Sequence, residues 1–158
     1  MSVEANPLLL RLAAAERLSA FYHWLDQSDY GRCLDCFTDD AIWFRLGKPY
    51  EGRAEISAVL EARPALLMVR HLLSNLFTTL GEDGDAVTHA YVSVHTHRFE
   101  DELRLPAPIR QPIGIYAITA QMRRTDGEAA GDWRIAHLAM QAQFYTPLAP
   151  QPQHAAAQ

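Results

Sequence analysis

Two residues stand in contexts suited to proton chemistry. One is Asp26, near the end of an amphipathic stretch in Trp24-Leu25-Asp26-Gln27-Ser28-Asp29-Tyr30; the other is His71, inside the apolar run Val69-Arg70-His71-Leu72-Leu73-Ser74-Asn75. A neutral imidazole accepts a proton near pH 7, and a carboxylate on its other nitrogen fixes the tautomer and stabilises the imidazolium that forms. Brought together, the pair would be a general base. The plainer reading stands beside it: a histidine on a buried strand is often a structural hydrogen-bonding group, and an aspartate near a helix end often caps the next element.

Other reactive side chains offer less. Cys33 and Cys36 fall in a segment of helical character, with no second Cys/His pair at zinc-site spacing and no preceding strand of a thioredoxin-like site, and they read as ordinary thiols. His95 and His97, two apart on a strand, could ligate a metal but lack an evident carboxylate or third ligand. No metal and no cofactor is expected.

The elements that must position Asp26 and His71 follow from periodicity. Leu8, Leu12, Leu18, Tyr22 and Leu25 recur at helical spacing after Asn6-Pro7, a cap and first-turn pair, and predict a helix from Leu8 to about Gln27. A short helix from Tyr30 to Phe37 should stop at Thr38-Asp39-Asp40, followed by a strand from Ala41 to Leu46, a turn at Gly47-Lys48-Pro49 and a third helix from Arg53 to Arg63, halted near Pro64. The period then changes to two. Strands are predicted at about Val69–Leu80, Asp85–Glu100, Pro112–Arg124 and Trp133–Phe144, with turn signals at Gly81-Glu82-Asp83-Gly84 and from Asp126-Gly127 to Gly131. Helices first and antiparallel strands afterwards describe an α+β domain.

In the first helix Ser19, Tyr22 and Asp26 share a face. Alternation places His71, Leu73, Asn75 and Phe77 on one face of their strand, and in the next strand turns Ala90, Val92, Val94 and Thr96 inward, leaving His89, Tyr91, Ser93, His95 and His97 outward.

At 158 residues the chain is long enough to bury a core as one domain, residues 1–146, with a flexible Pro/Ala/Gln-rich tail over 147–158. The net charge of -5 and scattered arginines provide no basic stripe for nucleic acid. Arg11 and Glu16 interrupt the apolar residues near the N-terminus, which lacks a basic segment, and a cytoplasmic protein without a membrane span is expected. A small-molecule or protein partner fits better than a nucleic acid or a membrane.

Several short segments occur in a telling order: Leu25-Asp26-Gln27-Ser28-Asp29-Tyr30, Phe37-Thr38-Asp39-Asp40-Ala41-Ile42-Trp43, Tyr50-Glu51-Gly52-Arg53-Ala54-Glu55-Ile56, Arg70-His71-Leu72-Leu73-Ser74-Asn75, Gly114-Ile115-Tyr116, Arg124-Thr125-Asp126-Gly127 and Trp133-Arg134-Ile135. Together they resemble the SnoaL-like branch of the nuclear transport factor two-like superfamily, with particular likeness to scytalone dehydratase and the hexachlorocyclohexane dehydrochlorinase. The resemblance implies a cone-shaped α+β barrel, its strongly curved, mostly antiparallel sheet wrapped round the long helix with a pocket inside. It also implies an Asp-His dyad, here Asp26 and His71. By the same likeness Tyr22, Trp43, Tyr50, Asn75, Thr96, Tyr116, Ile118, Met140 and Phe144 would line the pocket, with Tyr50 and Tyr116 as hydroxyl donors.

The departures concern the leaving group. Leu25 and Thr96 stand where scytalone dehydratase has a tyrosine and a second pocket histidine, and Phe21 and Leu138 where the dehydrochlorinase has a lysine and an arginine. The resemblance thus implies a cofactor-independent lyase of dehydratase type, or an isomerase, acting on a different small molecule of aromatic or polyketide-like character. Carbon-carbon cleavage in an aromatic pathway is chemically adjacent. The rival is a non-catalytic binding protein, or a small subunit resembling the β subunit of ring-hydroxylating dioxygenases; epoxide hydrolysis lacks its Asp-Arg-Asp set. Self-association is expected through the outer sheet face, as a trimer by likeness to the same enzymes or else as a dimer.

Overall fold

The computed structural model describes residues 6–125 and 132–147. Helix α1 spans Pro7–Asp26. The Asn6 side chain accepts from the Leu8 N–H at 2.9 Å, and Pro7 occupies the first turn, where a missing N–H costs no hydrogen bond. Ala14, Leu18, Phe21, Tyr22 and Leu25 form its buried stripe, whereas Leu8, Leu9 and Leu12 in the first turns are exposed. Beyond Gln27, Ser28 turns the chain at φ 58°, and Asp29 accepts from the Arg32 N–H to start α2, Tyr30–Asp35.

Strand β1 runs Phe37–Arg45, beginning earlier than expected. Thr38-Asp39-Asp40 does not break it, because the register against its neighbour shifts between Phe37 and Ile42 and Asp39 and Asp40 are exposed there. A second strand, β2 (Lys48–Glu51), replaces the longer turn expected there. Leu46 and Gly47 both take positive φ, 53° and 77°, as a two-residue hairpin requires. Helix α3 covers Gly52–Glu61, with the Glu55 side chain accepting from the Glu51 N–H at 2.9 Å.

The remaining strands are β3 (Leu67–Leu80), β4 (Ala86–Arg98), β5 (Gly114–Arg124) and β6 (Trp133–Tyr145). All six form one sheet in the order β2-β1-β6-β5-β4-β3, antiparallel except for the β1–β6 pair. The architecture is α+β: three helices packed on one curved sheet. Phe21 sits near the centre of the core, with its ring meeting Tyr22, Phe37 and Trp43 edge-on at 5.0, 5.1 and 5.6 Å. Residues 148–158 of the expected tail, and the expected turn from Asp126 to Gly131, lie outside the described residues.

In β4 the alternation holds: Ala90, Val92 and Val94 are buried and Tyr91 is exposed. It fails in β3 and β6, where bulges change the phase. Between Ser74 and Phe77 β3 carries one residue more than its partner, so His71 pairs with inward Val94 while Phe77 pairs with outward His89. Asn75, at the bulge, has φ 52°. Asparagine tolerates that left-handed geometry, whereas a β-branched residue there is strained. Asn75→Val should therefore lower stability by about 1–2 kcal/mol and Asn75→Gly should leave it nearly unchanged, as measured by urea unfolding.

Candidate active site

Asp26 is the last residue of α1, where the negative end of the helix dipole disfavours a carboxylate. Its two oxygens are nevertheless well satisfied. Oδ2 accepts the His71 backbone N–H at 2.8 Å, and Oδ1 lies 2.5 Å from His71 Nδ1. Cations support the same corner: Arg70 donates to the Asp26 carbonyl at 3.0 Å and Arg63 to the Leu25 carbonyl at 3.1 Å. The capping alternative falls away, because Asp29 rather than Asp26 caps α2.

The His71 and Asp26 side chains are only 10% and 11% exposed. A carboxylate at 2.5 Å is an acceptor, so neutral His71 carries its proton on Nδ1. Nε2 has no protein partner among the described residues, and His71 lines a cavity of about 350 Å³ bounded by α1, β1, α3 and the concave face of the sheet. Tyr22 packs against the imidazole with ring centroids 5.0 Å apart. Burial, with a lesser contribution from the Asp26 charge, pushes the Tyr22 phenol well above its ordinary pKa and keeps it a neutral donor.

Of the expected pocket residues, Tyr22, Trp43, Thr96, Tyr116 and Met140 line this cavity together with His71. Four do not. Tyr50 sits on the edge strand β2, in a separate surface depression with Lys48 and Glu55. Ile118 points inward but lies in the packed core, 1% exposed. Asn75 is exposed at its bulge. Phe144 is 69% exposed because the register of β6 against β5 shifts between Ile115 and Tyr116, putting Phe144 opposite outward-facing Ile115. The tyrosines at the cavity are thus Tyr116 and Tyr22, and Tyr50 is not among them.

Among the cavity residues that the sequence reading does not place there, two are charged, Arg45 and Arg63. Arg45 is two residues after Trp43 in β1 and shares its face, a signal that alternation contains. Arg63, just past the end of α3, carries no comparable sign.

Elsewhere, His95 Nε2 meets Ser93 Oγ at 3.2 Å, His89 Nδ1 meets Thr119 Oγ1 at 3.4 Å, and His97 packs on Phe99. No group of three or more potential metal ligands occurs among the described residues. Burial pushes the Cys33 thiol up to about 12, with the Cys36 thiol adding to the shift, and also raises Cys36 itself. No helix among the described residues is long and apolar enough to cross a membrane.

The sequence profile of the SnoaL-like domain matches residues 6–139. No curated protein matches the chain. Among solved structures, ActVI-ORFA from Streptomyces coelicolor is similar at 18% identity with a TM-score of 0.67, covering 87% of this chain and 98% of its own. A cystatin-like protein of unknown function from Nostoc punctiforme matches at 20% identity and TM-score 0.67, covering 89% and 95%. A Novosphingobium aromaticivorans protein provisionally assigned as an aromatic ring hydroxylase matches at 25% identity and TM-score 0.67, covering 91% and 94%. The first two likenesses are of fold.

Two outcomes follow from this geometry. Nitrogen chemical shifts should place the proton of neutral His71 on Nδ1, and Asp26→Asn should shift that population toward the other tautomer. Both cysteines, buried and held as thiols, should resist alkylation at pH 8 in the native protein and react fully once it is unfolded in urea.

Proposed function

This chain belongs to the SnoaL-like domain family, and we propose that within it the protein is a cofactor-independent lyase of dehydratase type, or an isomerase, with His71 as general base. The observation that carries this reading is the two-point grip of Asp26 on His71, which leaves Nε2 as the acceptor on a cavity wall. His71 removes a proton from a carbon of the substrate, and Asp26 stabilises the imidazolium. The electron pair left behind moves toward an adjacent carbonyl. In an elimination it then expels a leaving group one carbon further on, and the Tyr116 or Tyr22 hydroxyl hydrogen-bonds the carbonyl or the departing oxygen.

A cavity of about 350 Å³ lined by Trp43, Leu25, Val69, Val94 and Met140 suits a small apolar ring system. The aromatic-ring assignment of the Novosphingobium relative supports an aromatic or polyketide-like substrate. We further propose a cytoplasmic homo-oligomer, with a trimer favoured. Support comes from the outer sheet face, where Leu72, Phe77, Tyr91 and Phe144 are exposed. Sedimentation across a concentration series should show a trimer, and a monomer at every concentration would remove this inference.

The chemistry can be tested without the natural substrate. Nitrobenzisoxazole eliminates through removal of a carbon-bound proton and releases a coloured phenolate. The protein should accelerate this reaction, and His71→Ala should reduce the rate by about 10²-fold or more, in line with general-base contributions. Equal rates for the two proteins would end the assignment of His71 as the base.

A further inference from the structure

The cavity is mostly apolar, yet two guanidinium groups stand in its wall. Arg45 extends from the end of β1 and Arg63 from just beyond α3. Both are partly buried. Neither lies within ion-pair distance of a carboxylate among the described residues, although Arg17, Arg53 and Arg123 do. Arg63 uses one guanidinium N–H on the Leu25 carbonyl. Arg45 has no guanidinium hydrogen bond to a described protein acceptor and lies over the Trp43 ring, 5.6 Å from its centroid.

Two like charges side by side in a partly buried wall repel each other. Burial lowers the Arg63 pKa; Tyr30 opposes that shift, the neighbouring Arg45 charge adds to it by less than Tyr30 opposes it, and Asp26 and Cys33 oppose it more weakly still. Asp26 forms no ion pair with either arginine, since both its oxygens are taken up by His71. A guanidinium offers several N–H donors in a planar fork matched to a carboxylate, and two such forks with donors unused form a receptor for an anion.

We propose that Arg45 and Arg63 form a carboxylate-binding subsite, so that the ligand of this cavity is an aromatic or otherwise apolar acid rather than a neutral molecule. The subsite deepens the functional reading above and rests on that reading's assignment of the cavity as the active site. The apolar wall takes the ring, the two arginines hold the carboxylate, and the substrate is thereby oriented with one end fixed relative to His71.

The test compares naphthoate with naphthamide, a neutral molecule of nearly the same shape, by calorimetric titration of the full chain. The wild-type protein should bind naphthoate about tenfold or more tightly than naphthamide, as expected for charge-assisted hydrogen bonds. Arg45→Gln and Arg63→Gln should each reduce that preference, and the double variant should abolish it, while naphthamide affinity stays constant and reports an intact cavity. Arg63→Gln also removes the bond to Leu25; if that variant fails to fold, Arg45→Gln decides alone. His71→Ala should keep the preference while losing elimination of nitrobenzisoxazole, so failure of the base and failure of the subsite give different results. Equal wild-type affinity for acid and amide, or a preference that survives Arg45→Gln undiminished, would overturn the proposal.

Discussion

Both oxygens of one carboxylate go to one residue: Asp26 accepts the backbone N–H and the ring nitrogen of His71, across 45 positions of sequence. The helix end that carries Asp26 opposes its charge, and the strand that carries His71 must meet that end edge-on for both contacts to form. Separating the partners would leave a nearly buried carboxylate and a nearly buried imidazole without their hydrogen bonds, a cost paid twice over. Arg70 and Arg63, bound to the last carbonyls of α1, add positive charge where the helix needs it. The contact therefore fixes the position of α1 against β3 and the direction in which His71 presents Nε2.

The core makes that contact possible by filling the space beneath it. Phe21, one residue before Tyr22, packs inward against Phe37 and Trp43, while Tyr22 turns toward His71. Leu18, Ile118, Val92 and Leu138 close the interior with essentially no exposure. What the core leaves open is a cavity between the end of α1, the end of α3 and the concave sheet, with the imidazole in its wall and two arginines facing it.

Much of this was readable from the residue pattern, and the failures have a common cause. Strand β4 obeys a single period, which places Ala90, Val92 and Val94 inward as found; helical spacing places Leu18, Tyr22 and Leu25 of α1 inward as found, but Leu8 and Leu12 at the same spacing are exposed, and Ala14 and Phe21 complete the buried stripe. Strand β3 contains one bulge and β6 two, and each extra residue moves what lies beyond it to the other face; this is why Asn75 leaves the face of His71 and why Phe144, which the family resemblance puts in the pocket, faces outward. The hairpin strand β2 was hidden because Leu46-Gly47 is a tighter turn than Gly47-Lys48-Pro49 suggests, and Tyr50 went with it to the sheet edge. Asp26 and His71 were found by type and local context, but their meeting depends on the curvature of a six-stranded sheet, which no local pattern encodes. Arg63 had no signal at all, since its role at the cavity arises from where α3 ends.

The central claim is that Asp26 and His71 act as one unit, with the carboxylate working only through the imidazole. A double-mutant cycle on proton abstraction from nitrobenzisoxazole tests this most directly, using Asp26→Asn, His71→Ala and the combination. The rate of the double variant should equal that of His71→Ala alone, because a carboxylate without its imidazole has nothing left to orient. Additive losses in the double variant would contradict the account and give Asp26 a role of its own.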